Sequence, residues 1–337
     1  MKLIRENGQP HWGRFDEPPS VINWADYDVR NALGQPRSAW LKPRLFKHFD
    51  FYGATGPDFT FGCGMVRLGW VNSTFAYLHH AQWGLKRVQF DLPGDWGLKA
   101  DYAPHGTSAW AHPLKPGYRV LSHRTAGERA LSFEFGPEFS GHIRLENQDL
   151  PVLSMNTPIA NTGFAYAQKT TGCAVSGTVQ LNGRPLELDP ARHGCYHDWT
   201  AGFLRRETFW NWACATGRTS DQAPLVAVNV ARGVNETSAH ENVIWVDGQR
   251  FDLPLVMFDY DRDNVSRPWR VYSACGAVDM AFVPEGSIDD HRNLWLIASR
   301  FNQCFGRFEG KVRVPGTGLI VDVTGLTGWC EDHYAKW

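Results

Sequence analysis

The stretch Cys173-Ala174-Val175-Ser176-Gly177-Thr178-Val179-Gln180-Leu181-Asn182-Gly183-Arg184-Pro185-Leu186-Glu187-Leu188 decides the fold. Cys173, Val175, Val179 and Leu181 share one face of an extended segment, and Ser176, Thr178 and Gln180 share the other. That period of two is the mark of a strand with one buried side. Asn182-Gly183 follows, the residue pair preferred by a two-residue hairpin turn because both central positions need positive φ. Pro185–Leu188 then returns as the partner strand.

The same grammar recurs downstream. Val243–Val246 meets Asp247-Gly248 and continues through Arg250–Leu253. Trp269–Cys275 and Val278–Phe282 flank Gly276-Ala277, and Phe305–Val314 and Leu319–Leu326 flank Pro315-Gly316-Thr317-Gly318. Thr208–Ala213 and Leu225–Ala231 supply two more strands. Short strands at regular spacing predict an antiparallel meander that closes into a barrel or folds over as a sandwich. The first half reads less clearly. Phe59–Trp70, Arg87–Leu92, Tyr118–Ser122, Ala130–Phe135 and Gly141–Glu146 are candidate strands, and Ser73–Trp83 is the candidate helix. Met1–Pro43, with five prolines and no period, reads as an irregular arm laid over the body. Pro151, Asn156, Pro158, Asn161 and Gly163 cluster without periodicity and suggest a boundary near 150–166, dividing the chain into 1–165 and 166–337.

Composition agrees with an all-β chain. The 337 residues include 15 Trp, 20 Phe and 10 Tyr, together with 33 Gly and 20 Pro, which favour strands and turns over helices. Thirty-four basic residues against 35 acidic ones leave a net charge of −1, which argues against a nucleic-acid partner. No apolar run approaches the ~18 residues of a membrane span. The first residues lack the apolar core of a secretory signal. Seven dispersed cysteines without C-x-x-C read as reduced thiols, so a cytoplasmic protein is expected. The oligomeric state is left open.

Common cofactor motifs are missing. Gly62-Cys63-Gly64 opens like a dinucleotide loop, but Arg67 stands where the third glycine belongs. There is no G-x-x-x-x-G-K-S/T, H-E-x-x-H or G-x-S-x-G, so no cofactor is expected. The densest polar cluster is His193-Gly194-Cys195-Tyr196-His197-Asp198. On a strand at ~3.3 Å per residue, His193 and His197 stand ~13 Å apart, too far to share one metal ion, and no metal is expected. Two readings of His197 and Asp198 stand: an acid–base pair facing a cavity, or a turn acceptor beside a solvent-facing imidazole. Trp210 and Trp212, at i and i+2 in Thr208–Ala213, fall on one face. They are either core or an aromatic wall for an apolar ligand. The C-terminus, Gly328-Trp329-Cys330-Glu331-Asp332-His333-Tyr334-Ala335-Lys336-Trp337, is dense in aromatic and ionisable residues to its last position and is expected to be docked. Glu331 and His333 either serve a site or pin the last strand.

Gly172–Gly202 resembles the second half of lipocalin-like proteins related to carotenoid 1,2-hydratase, with its strand, Asn182-Gly183 hairpin, return strand and aromatic–x–Asp element at Tyr196–Asp198. Residues 170–337 resemble a bacterial family of unknown function more closely. The matching elements are Asp198-Trp199-Thr200-Ala201-Gly202, Thr208–Ala213, Leu225–Asn229, Glu241–Gly248 and Gly328–Trp337. The resemblance implies two consecutive antiparallel lipocalin-like β-barrels, with short helices and an N-terminal arm, and an apolar ligand inside or between them. Two positions depart from it. Trp199 follows Asp198 where the hydratase pattern commonly has His, and Ala201 stands where a basic residue is often found.

Two functions follow. The first is a cofactor-independent hydratase or isomerase acting on an isoprenoid- or lipid-like double bond. Asp198 serves as the acid, His197 or His333 as the base with Glu331 beside it, and Trp210, Trp212 and Trp245 form the wall. Tyr196, Asn229 and Asn242 complete the expected ligand-binding set. The second is a carrier that binds the same hydrophobic molecule unchanged, with at most a peripheral contact to membranes. What separates them is whether the ionisable groups converge on the cavity.

Overall fold

The computed structural model describes residues 1–337 except 148–149, 221, 236–238, 294 and 296. The chain is all-β, with antiparallel strands in three curled sheets. Apart from strands, the named elements are one 3-10 turn at Trp24–Asp26 and one helical turn at Lys42–Leu45. No helix among the described residues is long and apolar enough to cross a membrane.

Sheet A has eight strands, in the order Gly13–Arg14, Leu153–Ile159, Gly163–Thr171, Gly194–Gly202, Lys47–Thr55, Phe59–Arg67, Val71–His80 and Gly84–Pro93. Sheet B has seven, from Arg184–Leu188 and Ala174–Leu181 to Leu98–Ala100. The two face each other across a core that includes Tyr52, Phe61 and Leu78 from A and Trp110, Leu131, Ile143 and Val179 from B. The hairpin at 173–188 forms as its pattern predicts, with Asn182 at φ 53° and Gly183 at φ 75°. Cys173, Val175, Val179 and Leu181 are its buried face.

Sheet C has ten strands between Glu207 and Lys336 and curls around a core of its own, including Val228, Ile244, Val271, Phe282 and Phe308. Its long hairpin, Val278–Asn293 with Ala298–Arg313, bends at a bulge between Pro284 and Gly286. Beyond the bulge it runs over the edge of sheet A, where Arg292 pairs with Asp91.

Three expectations change. Ser73–Trp83 is not a helix: Val71–His80 is a strand of sheet A paired on both sides, burying Asn72, Thr74, Ala76 and Leu78 at every second position. The period of two is masked in the sequence because the buried face carries the polar Asn72 and Thr74, while Val71, Phe75 and Tyr77 stand on the other. The stretch 150–166 is not a gap between sheets. It holds Leu153–Ile159 and the start of Gly163–Thr171, both paired within sheet A, and the chain passes to sheet C between Gly202 and Glu207. Leu319–Leu326 forms only the short strand Ile320–Asp322, and the long last strand is Thr327–Lys336. The N-terminal arm is irregular, and it is not a surface decoration. Leu3, Ile4, Phe15, Ile22 and Tyr27 pack on Phe164, Tyr166 and Trp199, the same face of sheet A that carries His197.

Sheets A and C meet face to face through Tyr77 and Tyr196 from A and Trp212, Phe305 and Trp329 from C. Gly53 permits this approach, because a Cβ there would lie 2.7 Å from the Trp329 ring. Gly53→Ala should therefore wedge the two sheets apart, at a cost of about 1–3 kcal/mol. Urea unfolding of the variant checks this, and unchanged stability would mean that Trp329 does not press on sheet A.

Candidate functional site

The opposed faces of sheets A and C do not close completely. Between them lies a cleft of about 380 Å³. Strand alternation sorts the side chains that reach it. From sheet A come Phe49 and Phe51, Phe75, Lys169, and Asp198 with Thr200; from sheet C come Trp210 and Trp212, Ser299, Phe301 and Gln303, and Glu331 with His333. Glu241, just before the strand Val243–Val246, completes the floor.

The floor is an ion cluster. Lys169 and Asp198 are directly opposite on neighbouring strands. Lys169 Nζ lies 2.5 Å from Asp198 Oδ2 and 3.1 Å from Glu241 Oε2. All three are shielded from water, Asp198 least, at 24% side-chain exposure. Burial opposes the charge on Lys169, but the two carboxylates outweigh it and its pKa rises. Burial, reinforced by the nearby Asp198 charge and offset by Lys169, pushes the Glu241 carboxyl up. Glu241 thus holds a proton at higher pH than an ordinary carboxyl. Asp198 is not a turn acceptor; it sits in mid-strand and also receives the Thr200 hydroxyl at 3.1 Å.

The opposite wall is a directed hydrogen-bond chain. Trp329 Nε1 donates to the Tyr77 hydroxyl (2.8 Å), which donates to Gln303 Oε1 (2.6 Å). Gln303 Nε2 donates to Glu331 Oε2 (2.9 Å), and Trp210 Nε1 donates to Glu331 Oε1 (2.7 Å). His333 lies against the Trp210 ring at 4.1 Å between centroids, its Nδ1 3.5 Å from Glu331 Oε1.

Asp198, Glu331, His333, Trp210 and Trp212 thus share one cleft, as the sequence suggests. Other expected site residues fall elsewhere. His197 is adjacent to Asp198 and therefore points the opposite way, into the space between sheets A and B, where its Nε2 meets Asp50 Oδ1 at 3.0 Å. Burial lowers its pKa against the pull of Asp50. Asp50 also binds Arg124 at 2.8 Å. His193 and Cys195 go to other partners again: the His193 ring contacts Phe59, and Cys195 Sγ lies 3.7 Å from Cys173 Sγ. Trp245 is buried between the sheets beside the cleft, with Leu153 and Met155, and donates to Pro151 O. Asn242 accepts from Ala231 N and donates to Pro254 O, tying loop to strand. Tyr196 and Asn229 stand behind the wall: Asn229 Oδ1 receives Tyr196 and Trp212, and its Nδ2 donates to the Glu241 carbonyl. Sequence reasoning missed Lys169, Glu241, Gln303 and Ser299. A lysine within the strand pattern Phe164–Thr171 was the available signal for the first, since such a charge needs a partner when buried.

Removing Lys169 leaves two carboxylates facing each other out of water. Lys169→Met should cost about 3–5 kcal/mol. The loss should grow as pH rises through the carboxylate range, and adding Glu241→Gln should recover part of it; urea titrations of the single and double variants between pH 5 and 8 check both. Between sheets A and B, burial works against the Asp50 carboxylate, but Arg124 and His197 together hold its pKa down at about 2, against an ordinary 3.8. Its contribution is present above the ordinary value and is lost as pH falls through about 2. The wild-type protein should lose on the order of 2 kcal/mol across that window, a slope that Asp50→Asn removes.

Three solved structures are similar to this chain at low identity, and the first two share its fold. CghA matches over 99% of this chain and 96% of its own, with 11% identity and a TM-score of 0.52. A protein assigned as AttH, from Nitrosomonas europaea, matches over 85% of this chain and 92% of its own, with 13% identity and a TM-score of 0.52. Kievitone hydratase from Nectria haematococca covers 97% and 98%, at 10% identity and a TM-score of 0.48. No curated protein matches the sequence. The family model described as "Domain of unknown function (DUF2804)" matches residues 24–337, and the chain belongs to that family.

Proposed function

We propose that the cleft between sheets A and C binds a hydrophobic, isoprenoid- or lipid-like small molecule and catalyses cofactor-independent hydration or isomerisation of a double bond in it. The observation that carries this reading is that three carboxyl groups, Asp198, Glu241 and Glu331, and the His333 imidazole line the same aromatic cleft, with burial raising the pKa of Glu241 against the pull of Lys169. Glu241, rather than Asp198, is the acid. Its proton adds to the alkene, and the resulting cation sits against the ring faces of Phe51, Trp210 and Trp212. Asp198, held by Lys169, adds a fixed negative charge nearby. His333 then takes a proton from the attacking water for hydration, or from a neighbouring carbon for isomerisation. With this reading we keep the expectation of a cytoplasmic protein.

A second reading is a carrier. It is favoured by the fact that Asp198 and Glu241 are both engaged by Lys169, an arrangement that also fastens the two sheets. Glu241→Gln and Asp198→Asn separate the readings. The wild-type protein is incubated with isoprenoid alkenes and lipid extracts and the products are followed by liquid chromatography and mass spectrometry. An added water, or an isomer of unchanged mass, is expected with the wild type and is lost in Glu241→Gln, while quenching of tryptophan fluorescence by the same ligands persists. Binding without conversion in every case would establish the carrier.

A further inference from the structure

Ser299 enters neither reading, yet its side chain lines the same cleft. Its Oγ lies 3.3 Å from His333 Nε2, on the far side of the imidazole from Glu331. Ser299 and His333 stand on neighbouring strands, where Phe301 pairs with His333, and Glu331 is two residues from His333 on the same strand face. The three side chains form a line of nucleophile, imidazole and carboxylate. Its far end is rigid, since both Glu331 oxygens receive hydrogen bonds, from Trp210 and Gln303. The imidazole is held on both sides, against Trp210 and against Phe301 at 5.0 Å. His333 Nδ1 faces the Glu331 carboxylate at 3.5 Å and makes no hydrogen bond among the described residues; with the ring proton on Nδ1, the Nε2 lone pair would be turned to the Ser299 hydroxyl. The spacings are looser than the roughly 2.6–3.2 Å of an engaged triad, as is common before substrate binds.

We infer that Ser299, His333 and Glu331 form a second reactive centre in this cleft, an acyl-transfer triad for esters or thioesters with a hydrophobic acyl chain. The inference rests on the cleft being a site for apolar ligands, and not on the alkene chemistry. Ser299 Oγ attacks the acyl carbonyl while its proton passes to His333 Nε2. The bond to the leaving alcohol or thiol breaks, and the leaving group takes that proton. The acyl group remains on Ser299 until water, giving a proton to His333, attacks the ester. Ser299 is then released with its proton restored, and a carboxylic acid departs. The aromatic wall of Phe49, Phe51 and Phe75 gives the acyl chain its place.

The full chain is treated with an alkyl fluorophosphonate and, separately, with p-nitrophenyl esters of increasing chain length. Expected are one covalent adduct on the peptide containing Ser299 and a burst of p-nitrophenolate that increases with chain length. Ser299→Ala should lose both, and His333→Gln should slow acylation by about 100- to 10,000-fold. No adduct, an adduct on another residue, or equal labelling of Ser299→Ala would overturn the triad. Anilinonaphthalene sulfonate, titrated against tryptophan fluorescence of the same samples, keeps the two failures apart. Binding without acylation removes the triad alone. Neither binding nor acylation removes both the triad and the ligand-binding reading of the cleft.

Discussion

Lys169 sits out of water within a strand, and the two carboxylates that hold it come from different parts of the fold: Asp198 from the neighbouring strand of sheet A, Glu241 from just before the sheet C strand Val243–Val246. A buried cation of this kind is tolerated only while its partners stay in place. The register between Gly163–Thr171 and Gly194–Gly202 is therefore tied to the placement of sheet C over sheet A. A slip of one residue would turn Lys169 and Asp198 to the wrong face. The same cluster gives the cleft its polar floor, so the contact that joins the sheets also sets the charge of the space between them.

Alternation along Gly194–Gly202 divides the molecule's polar groups into two sets. His197 faces Asp50 and Arg124 in an interior sealed by sheet B and the N-terminal arm. Asp198 faces the cleft. Neighbours in sequence thus end in separate compartments, one a sealed interior and one a cleft. A fold shared with other two-sheet barrels does not choose between these compartments as a site; the orientation of named side chains does.

Much of the architecture was legible in the sequence. The Asn182-Gly183 and Asp247-Gly248 turns, both with positive φ at each position, marked their hairpins correctly. The pattern failed at Val71–His80 because the buried face carries the polar Asn72 and Thr74, while the apolar Val71, Phe75 and Tyr77 stand on the other face. It failed again at 150–166, since prolines and asparagines also occur at strand ends and in the tight loop at 160–162. For the candidate site, the i, i+2 spacing points to Trp210 and Trp212, the polar cluster and the resemblance to Asp198, and the dense C-terminus to Glu331 and His333; these five side chains line one cleft. His197 fits neither of its readings, because it is one residue out of step with Asp198 and is buried against Asp50 on the other face of the sheet. Glu241 and Ser299 lay beyond reach, because their partners Lys169 and His333 are distant in sequence and meet them only through sheet packing and strand pairing.

The central claim is the location of the ligand site: between sheets A and C, not within either barrel. Photocrosslinking with a lipid-like diazirine probe, followed by peptide mapping, tests it most directly. Adducts are expected in Lys47–Thr55, Glu207–Gly217, Ala298–Arg313 and Thr327–Lys336, at the cleft-facing positions such as Phe49, Trp210, Phe301 and His333. Adducts confined to the core between sheets A and B, at Trp110, Val120 or Leu131, or to the core of sheet C, at Val228 or Phe282, would contradict it.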